Sequence, residues 1–308
     1  MWCEQGVRSM CGIVGIRLKN PDIYPALGEL VAPMLDVLAS RGPDSTGVAI
    51  YCHDASDGSI KYSLCAPSDE YDWPGYVAAL EARAGVLPVE FRRRGRDAVI
   101  VTPLGPDIGP SLLAEIDPSV RLFGFGSAIE VYKDVGPAAE VCERYGIGAM
   151  GGYQAIGHTR MATESAVTIE HSHPFAVAPD LALVHNGTFS NYASIRRQLA
   201  AHGVRFDTDN DSEVAARYIA REMAAGADTD EALRRTMKVF DGFFTLLLAT
   251  EHSLAIVRDS FACKPMVVAE TANYVAVASE YVALADLPDI EKADVFEPMP
   301  EEIYTWQT

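Results

Sequence analysis

The chain has 308 residues, 49% hydrophobic and 22% charged, enough for one large domain or two small ones. No apolar run approaches a membrane span, and the opening MWCEQGVRSM lacks the apolar core of a secretory signal, so a cytoplasmic protein is expected. A net charge of -18 repels phosphate backbones and argues against non-specific nucleic-acid binding.

In chain order, residues 11–18, CGIVGIRL, read as a strand entering a core. Pro21 and Asp22 open a helical pattern, with Leu27, Leu30, Val31, Met34, Leu35 and Leu38 on one stripe. SRGPDSTG, Ser40 to Gly47, is a turn-rich loop leading into a strand over Thr46 to Tyr51. Residues 53–97 are rich in Pro, Gly and charge, with a helix expected from Trp73 to Ala84. Arg92, Arg93, Arg94 and Arg96 read either as a solvated loop or as a docking patch for an acidic partner or nucleotide. Strands are expected at Ala98 to Thr102 and Val120 to Gly124, and a helix over Pro137 to Tyr145 stopped by Gly146.

From Tyr153 the strand signals become denser, at Tyr153 to His158 and Leu181 to His185. Helices follow over Tyr192 to His202 and Ser212 to Ala225, and a third after Asp228, which with Glu231 has capping-box spacing. Short strands close the chain at Phe243 to Ala249, Leu254 to Val257, Met266 to Ala269 and Tyr274 to Ala278. Strands, then helices, then strands indicate a layered α+β protein rather than strict βαβ alternation.

None of the six cysteines forms a Cys-x-x-Cys pair, so neither a disulfide framework nor a zinc site is expected. Cys11, preceded by Met10, needs a separate account. A thiol requires an activating base, and a cysteine's own α-amine, with a pKa of about 7.7–8.0, can serve if that cysteine begins the mature chain. A buried strand-start cysteine is the plainer reading of Met10-Cys11 alone. The support lies downstream. Arg41-Gly42-Pro43-Asp44-Ser45 and Gly157-His158-Thr159-Arg160-Met161-Ala162-Thr163 each place a guanidinium at a turn or strand end. His185-Asn186-Gly187 follows an apolar strand, and Asp211-Ser212-Glu213 opens a helix. A guanidinium can clamp an α-carboxylate, a carboxylate can hold an α-ammonium, and a side-chain amide beside a glycine N–H makes an oxyanion hole.

On MCGIVG, RGPDSTG, GHTRMAT, HNGTFSN and DNDSEV in that order, the chain resembles the class II, N-terminal-nucleophile glutamine amidotransferases. Arg258 to Met266 and Ala278-Ser279-Glu280 resemble later stretches of the same family, so the likeness spans residues 10–52 and 153–285. It implies a four-layer αββα N-terminal-nucleophile hydrolase sandwich. It implies that Cys11 is the nucleophile, and that Asn186 and Gly187 form the oxyanion hole. Arg160 would clamp the glutamine carboxylate, Asp211 the ammonium, and Arg41 would position the catalytic loop. Thr163 and His173 would lie near the substrate loop. Each also has a plainer reading: Asp211 as a helix N-cap, Arg41 as a turn-stabilising ion-pair partner, His158 as structural. His171 and His173 flank one serine with no carboxylate nearby, which does not make a metal site.

The motif GHTRMAT sets the chain nearer the synthase and transferase branches than the asparagine synthetases. No acceptor domain is recognisable after Glu280, so ammonia is expected to pass to a partner subunit. Ile129 to Gly136, IEVYKDVG, resembles stand-alone subunits of glutamate-synthase-like complexes, including N-methylglutamate synthase. The resemblance then implies FMN and an iron–sulfur cluster on partner subunits and no cofactor on this chain. A sugar or nucleotide-precursor amidotransferase, or a non-catalytic scaffold, are the alternatives. Residues 1–10 are expected to be a leader or pro-segment, residues 11–308 the amidotransferase domain, and 53–152 a family-variable insertion. Three readings of the leader are open: a start at Met10, removal on maturation, or retention with loss of the free amine.

Overall fold

A computed structural model of the chain describes residues 11–53, 58–85, 90–161 and 167–307. The leader, residues 1–10, and Thr163 lie outside them. The strands are β1 (Gly12–Leu18), β2 (Ser45–Tyr51), β3 (Ile60–Cys65), β4 (Glu90–Arg94), β5 (Asp97–Thr102), β6 (Arg121–Gly126), β7 (Ile129–Val135) and β8 (Gln154–Arg160). They continue as β9 (Phe175–Ala178), β10 (Leu181–Phe189), β11 (Gly242–Ala249), β12 (Ser253–Arg258), β13 (Val267–Glu270), β14 (Tyr274–Ala278), β15 (Asp294–Phe296) and β16 (Ile303–Gln307). The helices are α1 (Leu27–Val37), α2 (Trp73–Ala84), α3 (Gly109–Ile116), α4 (Ala138–Tyr145), α5 (Tyr192–Ala201), α6 (Asp211–Ala224) and α7 (Thr229–Val239).

β1 carries aliphatic residues on both faces, which suits a strand buried on both sides. It lies in a seven-stranded sheet of order β15-β13-β14-β1-β8-β2-β7, antiparallel to β14 and β8. Val14 and Ile16 pack with Val31, Leu35 and Val141 from α1 and α4. On the opposite face Ile13 joins Ile156, Val184, Leu247 and Ile256, a cluster shared with the five-stranded sheet β16-β12-β11-β10-β9. A Cβ at Gly15 would press on Leu247 of that second sheet, so a glycine lets the sheets approach here. Leu183, Leu246 and Val257 fill the far face of the five-stranded sheet against Ile195, Val214 and Leu233 of α5, α6 and α7. The chain is thus a mixed α and β protein built on antiparallel sheets.

Within residues 53–152 the chain does two things. Residues 60–126 build a separate four-stranded sheet, β4-β5-β3-β6, whose core of Tyr62, Trp73, Tyr76, Leu80 and Ile100 includes α2 and α3. β7 and α4 then return to the seven-stranded sheet. The arginine run does not form a solvated loop: Arg92 to Arg94 lie in β4, paired with β5. Arg92 meets Glu130 at 3.2 Å, Arg94 donates to the Tyr145 carbonyl, and Arg96 pairs with Asp134. In β4, Arg93 is exposed, while Arg92 and Arg94 turn inward, to Glu130 of β7 and to the Tyr145 carbonyl of α4.

Helix ends follow local chemistry. Gly146 stops α4 in the left-handed region (φ 66), and the Asp228 carboxylate caps α7 through the Glu231 N–H at 2.8 Å. The stretch Pro21–Ala26 is a 3-10 turn, with the α-helical stripe beginning at Leu27. No helix among the described residues is long and apolar enough to cross a membrane.

Candidate active site

Cys11 sits immediately before β1, and its thiol faces the Met161 carbonyl, 3.8 Å away, at the end of β8. Burial pushes the thiol pKa up, while the nearby Arg160 and Lys264 charges pull it back. A thiol held protonated needs a base, which sharpens the requirement for a neighbouring amine.

Two side chains converge on the Cys11 carbonyl. Arg41 donates from Nε at 3.2 Å, and Asn186 donates from Nδ2 at 3.0 Å. Arg41 is itself held by an ion pair with Glu280. It therefore acts in the turn and on Cys11 at once. Glu280 belongs to the Ala278-Ser279-Glu280 stretch, in which the Ser279 hydroxyl accepts the Ile13 N–H at 2.9 Å. Sequence reasoning matched that stretch to a family pattern but gave Glu280 no role.

Asn186 and Gly187 do not follow a strand; they lie inside one. β10 runs on to Phe189 because β11 pairs with it through Gly187↔Phe244 and Phe189↔Gly242. Gly187 has φ +145, and a Cβ there would overlap the Phe243 carbonyl oxygen. Only glycine fits this crossing without strain.

Asp211 is not the N-cap of α6. Asn210 fills that position, its side chain accepting the Ser212 N–H at 2.9 Å. Asp211 is the first helical residue, and its carboxylate reaches back to accept the Phe189 N–H at 2.9 Å. The helix start is thereby fixed to the strand that carries Asn186. Arg160 ends β8 and is 5% exposed; burial lowers its pKa, against the opposing pull of Cys11, Asp44 and Asp211. The guanidinium, the thiol and the carboxylate thus share one electrostatic neighbourhood.

Below these groups the filling between the two sheets changes from aliphatic to imidazole. His158 is wholly buried, and its Nε2 lies 3.1 Å from the His185 carbonyl. His173 stacks on His158 with ring centroids 4.2 Å apart. His185 contacts the Ser212 hydroxyl through Nδ1 at 2.7 Å. Burial lowers the pKa of all three, that of His158 to about 3, so they are neutral at pH 7. His171 turns the other way, to Asp209 at 2.6 Å. Its ring and that of His173 therefore serve different partners, and no group of three or more metal-ligating side chains assembles among the described residues.

The structure thus brings Cys11, Arg41, Arg160, Asn186 and Asp211 together, with Gly187 beside Asn186 and His173 one layer below. Such a set can hold an amino acid by its charged ends beside a thiol. Among known proteins, a family model described as a glutamine amidotransferase domain matches residues 158–286. The glutamine amidotransferase-like protein GlxB of Rhizobium meliloti (strain 1021) is 45% identical over 299 residues, covering 96% of this chain and 98% of that protein. A putative glutamine amidotransferase of Methanothermobacter thermautotrophicus is 33% identical, covering 96% of this chain and 99% of that one. In fold, the glutamine phosphoribosylpyrophosphate amidotransferase from B. subtilis superposes with a TM-score of 0.54 at 21% identity over 96% of this chain. The present chain spans 47% of that enzyme's length. With relatives matched nearly end to end, this chain belongs to the glutamine amidotransferase family and is an enzyme.

Proposed function

We propose that the chain hydrolyses L-glutamine to glutamate and ammonia through a γ-glutamyl thioester on Cys11. The observation that carries this reading is the double clamp on the Cys11 carbonyl by Arg41 and Asn186, with Arg160 and Asp211 close by. In this reading the sheets and their covering helices form the four-layer αββα sandwich of N-terminal-nucleophile hydrolases.

Arg160 takes the α-carboxylate of glutamine and Asp211 its α-ammonium, leaving the side-chain amide over the sulfur. The α-amine of Cys11 removes the thiol proton, and the thiolate attacks the amide carbon. Asn186 Nδ2 and the Gly187 N–H stabilise the oxyanion, each such donor being worth about 3–4 kcal/mol. The amine returns its proton to the departing ammonia, and water hydrolyses the thioester. In this reading His173 borders the substrate loop. The amine is available only when Cys11 begins the working chain, so the leader must be absent from the active form.

Ammonia then passes to a partner synthase of a glutamate-synthase-like or N-methylglutamate synthase complex, a reading supported by the likeness of residues 129–136 to such subunits. FMN and an iron–sulfur cluster belong to that partner, and no step on this chain requires them.

Glutamate release by the parent and by Cys11→Ala tests the chemistry: loss in the variant is expected, and equal release overturns the mechanism. Intact mass of active protein tests the base. A mass beginning at Cys11 is expected, and a fully active sample retaining Met1 would exclude the amine.

A further inference from the structure

Lys133 is out of place by ordinary energetics. It stands on β7, 4% exposed, pointing into the gap between the two large sheets. Its Nζ donates to the Ser172 carbonyl at 3.0 Å and lies over the rings of Phe123 and Phe175, 4.6 and 5.3 Å from their centroids. No carboxylate among the described residues pairs with it. An ammonium buried on one carbonyl and two ring faces costs more than a methionine filling the same space. Stability alone does not account for an amine here.

What the amine holds does account for it. The segment His171 to Pro174 lies across β2, where the His173 carbonyl rests so close to Gly47 that a Cβ there would overlap it. Gly47 is the direct partner of both Lys133 and His158. Three attachments of this segment lead toward the supports of the site. Ser172 goes to Lys133. The His173 ring goes to His158, whose Nε2 meets the carbonyl of His185, the residue before Asn186. The His171 carbonyl accepts from Asn210 Nδ2 at 3.3 Å, and Asn210 caps the helix that begins at Asp211. The segment therefore touches the supports of both the oxyanion donor and the ammonium anchor, and Lys133 fixes its middle.

We propose that Lys133 is a positioning residue for glutamine binding: it pins the 171–174 segment that, through Asn210, sets Asp211. Through Phe123 of β6, it also ties that segment to the separate four-stranded unit. The inference rests on the ammonium-anchoring role given to Asp211 in the proposed function.

Steady-state glutaminase kinetics and urea unfolding of the full chain test it. Lys133→Met should raise KM for glutamine by about tenfold with kcat within about twofold, while unfolding at equal or higher urea. Lys133→Arg, which restores a donor to the Ser172 carbonyl, should recover most of the loss. If Lys133→Met does not fold, Phe123→Leu, which removes one ring face from the amine, should raise KM by about threefold with kcat unchanged. A folded Lys133→Met with the parent KM, or a Phe123→Leu variant with the parent KM where Lys133→Met is lost, overturns the proposal. So does an Arg variant as impaired as the Met variant. A parent that releases no more glutamate than Cys11→Ala would instead sink the glutaminase reading itself.

Discussion

Two buried polar regions meet in this molecule and solve the same problem in opposite ways. Where the four-stranded unit joins the seven-stranded sheet, charges are buried against charges. Glu130 receives Lys61 at 3.3 Å, Arg92 at 3.2 Å and the Tyr132 hydroxyl at 2.6 Å, and Asp134 receives Arg96, Arg144 and the Tyr145 hydroxyl. Beneath Cys11 the buried groups are instead imidazoles held neutral by burial. The junction ties the four-stranded sheet to the seven-stranded one through ion pairs. The Cys11 end packs ring on ring and ring on carbonyl, and it is in the proposed function that Arg160 and Asp211 there take the two ends of an amino acid.

The contrast can be broken by mutation. At the junction, Glu130→Ala removes the carboxylate shared by Lys61, Arg92 and Tyr132 and should cost about 3–5 kcal/mol in urea unfolding, with glutaminase kcat of the folded fraction unchanged. At the catalytic end, Asn186→Ala should do the reverse. It should lower kcat by about 10²–10³, with a much smaller change in unfolding. A kcat loss in the first variant equal to that in the second would erase the distinction.

Titration sharpens the contrast, because the two regions respond to acid with opposite sign. Burial raises Asp97, which is 2% exposed, from an ordinary 3.8 to about 7, against the pull of Arg96. Its folded-state proton affinity exceeds that of the unfolded chain, so its cost is absent below about pH 4, grows to pH 7 and is complete above. Asp97→Asn should therefore stabilise by about 2 kcal/mol at pH 8 and by nothing at pH 4, read by urea midpoints. The histidines do the opposite. With folded pKa values below 6.5, they favour the fold fully above pH 6.5 and lose that contribution as pH falls toward 3. The smallest expected effect is Glu280→Gln. It weakens a part-exposed ion pair on Arg41, and should shift kcat/KM by about two- to fivefold with stability unchanged within about 0.5 kcal/mol.

The catalytic end was legible in the sequence because its residues sit in short fixed motifs next to apolar runs. Cys11 falls at a strand start and Arg160 at a strand end, where those motifs put them, whereas Asn186 lies inside β10; the apolar runs of β1 and β10 frame all three. The junction was not legible. β7 carries Glu130, Lys133 and Asp134, yet all three are buried because their partners come from β3, β4 and the turn after it, α4 and the 171–174 segment. β4 reads as a basic loop for the same reason. β9 has only four residues, too few for a period to register. Asn210 and Glu280 escaped notice because each acts through a neighbour that carried the expected role.

The clamp on Cys11 has one further consequence. Arg41 and Asn186 grip the carbonyl of that residue, which lies on the far side of its Cα from the bond to Met10. Breaking that bond changes the nitrogen and leaves the carbonyl untouched. The grip is therefore indifferent to whether that bond is intact: the same two donors can hold Cys11 with its nitrogen in an amide or as a free amine.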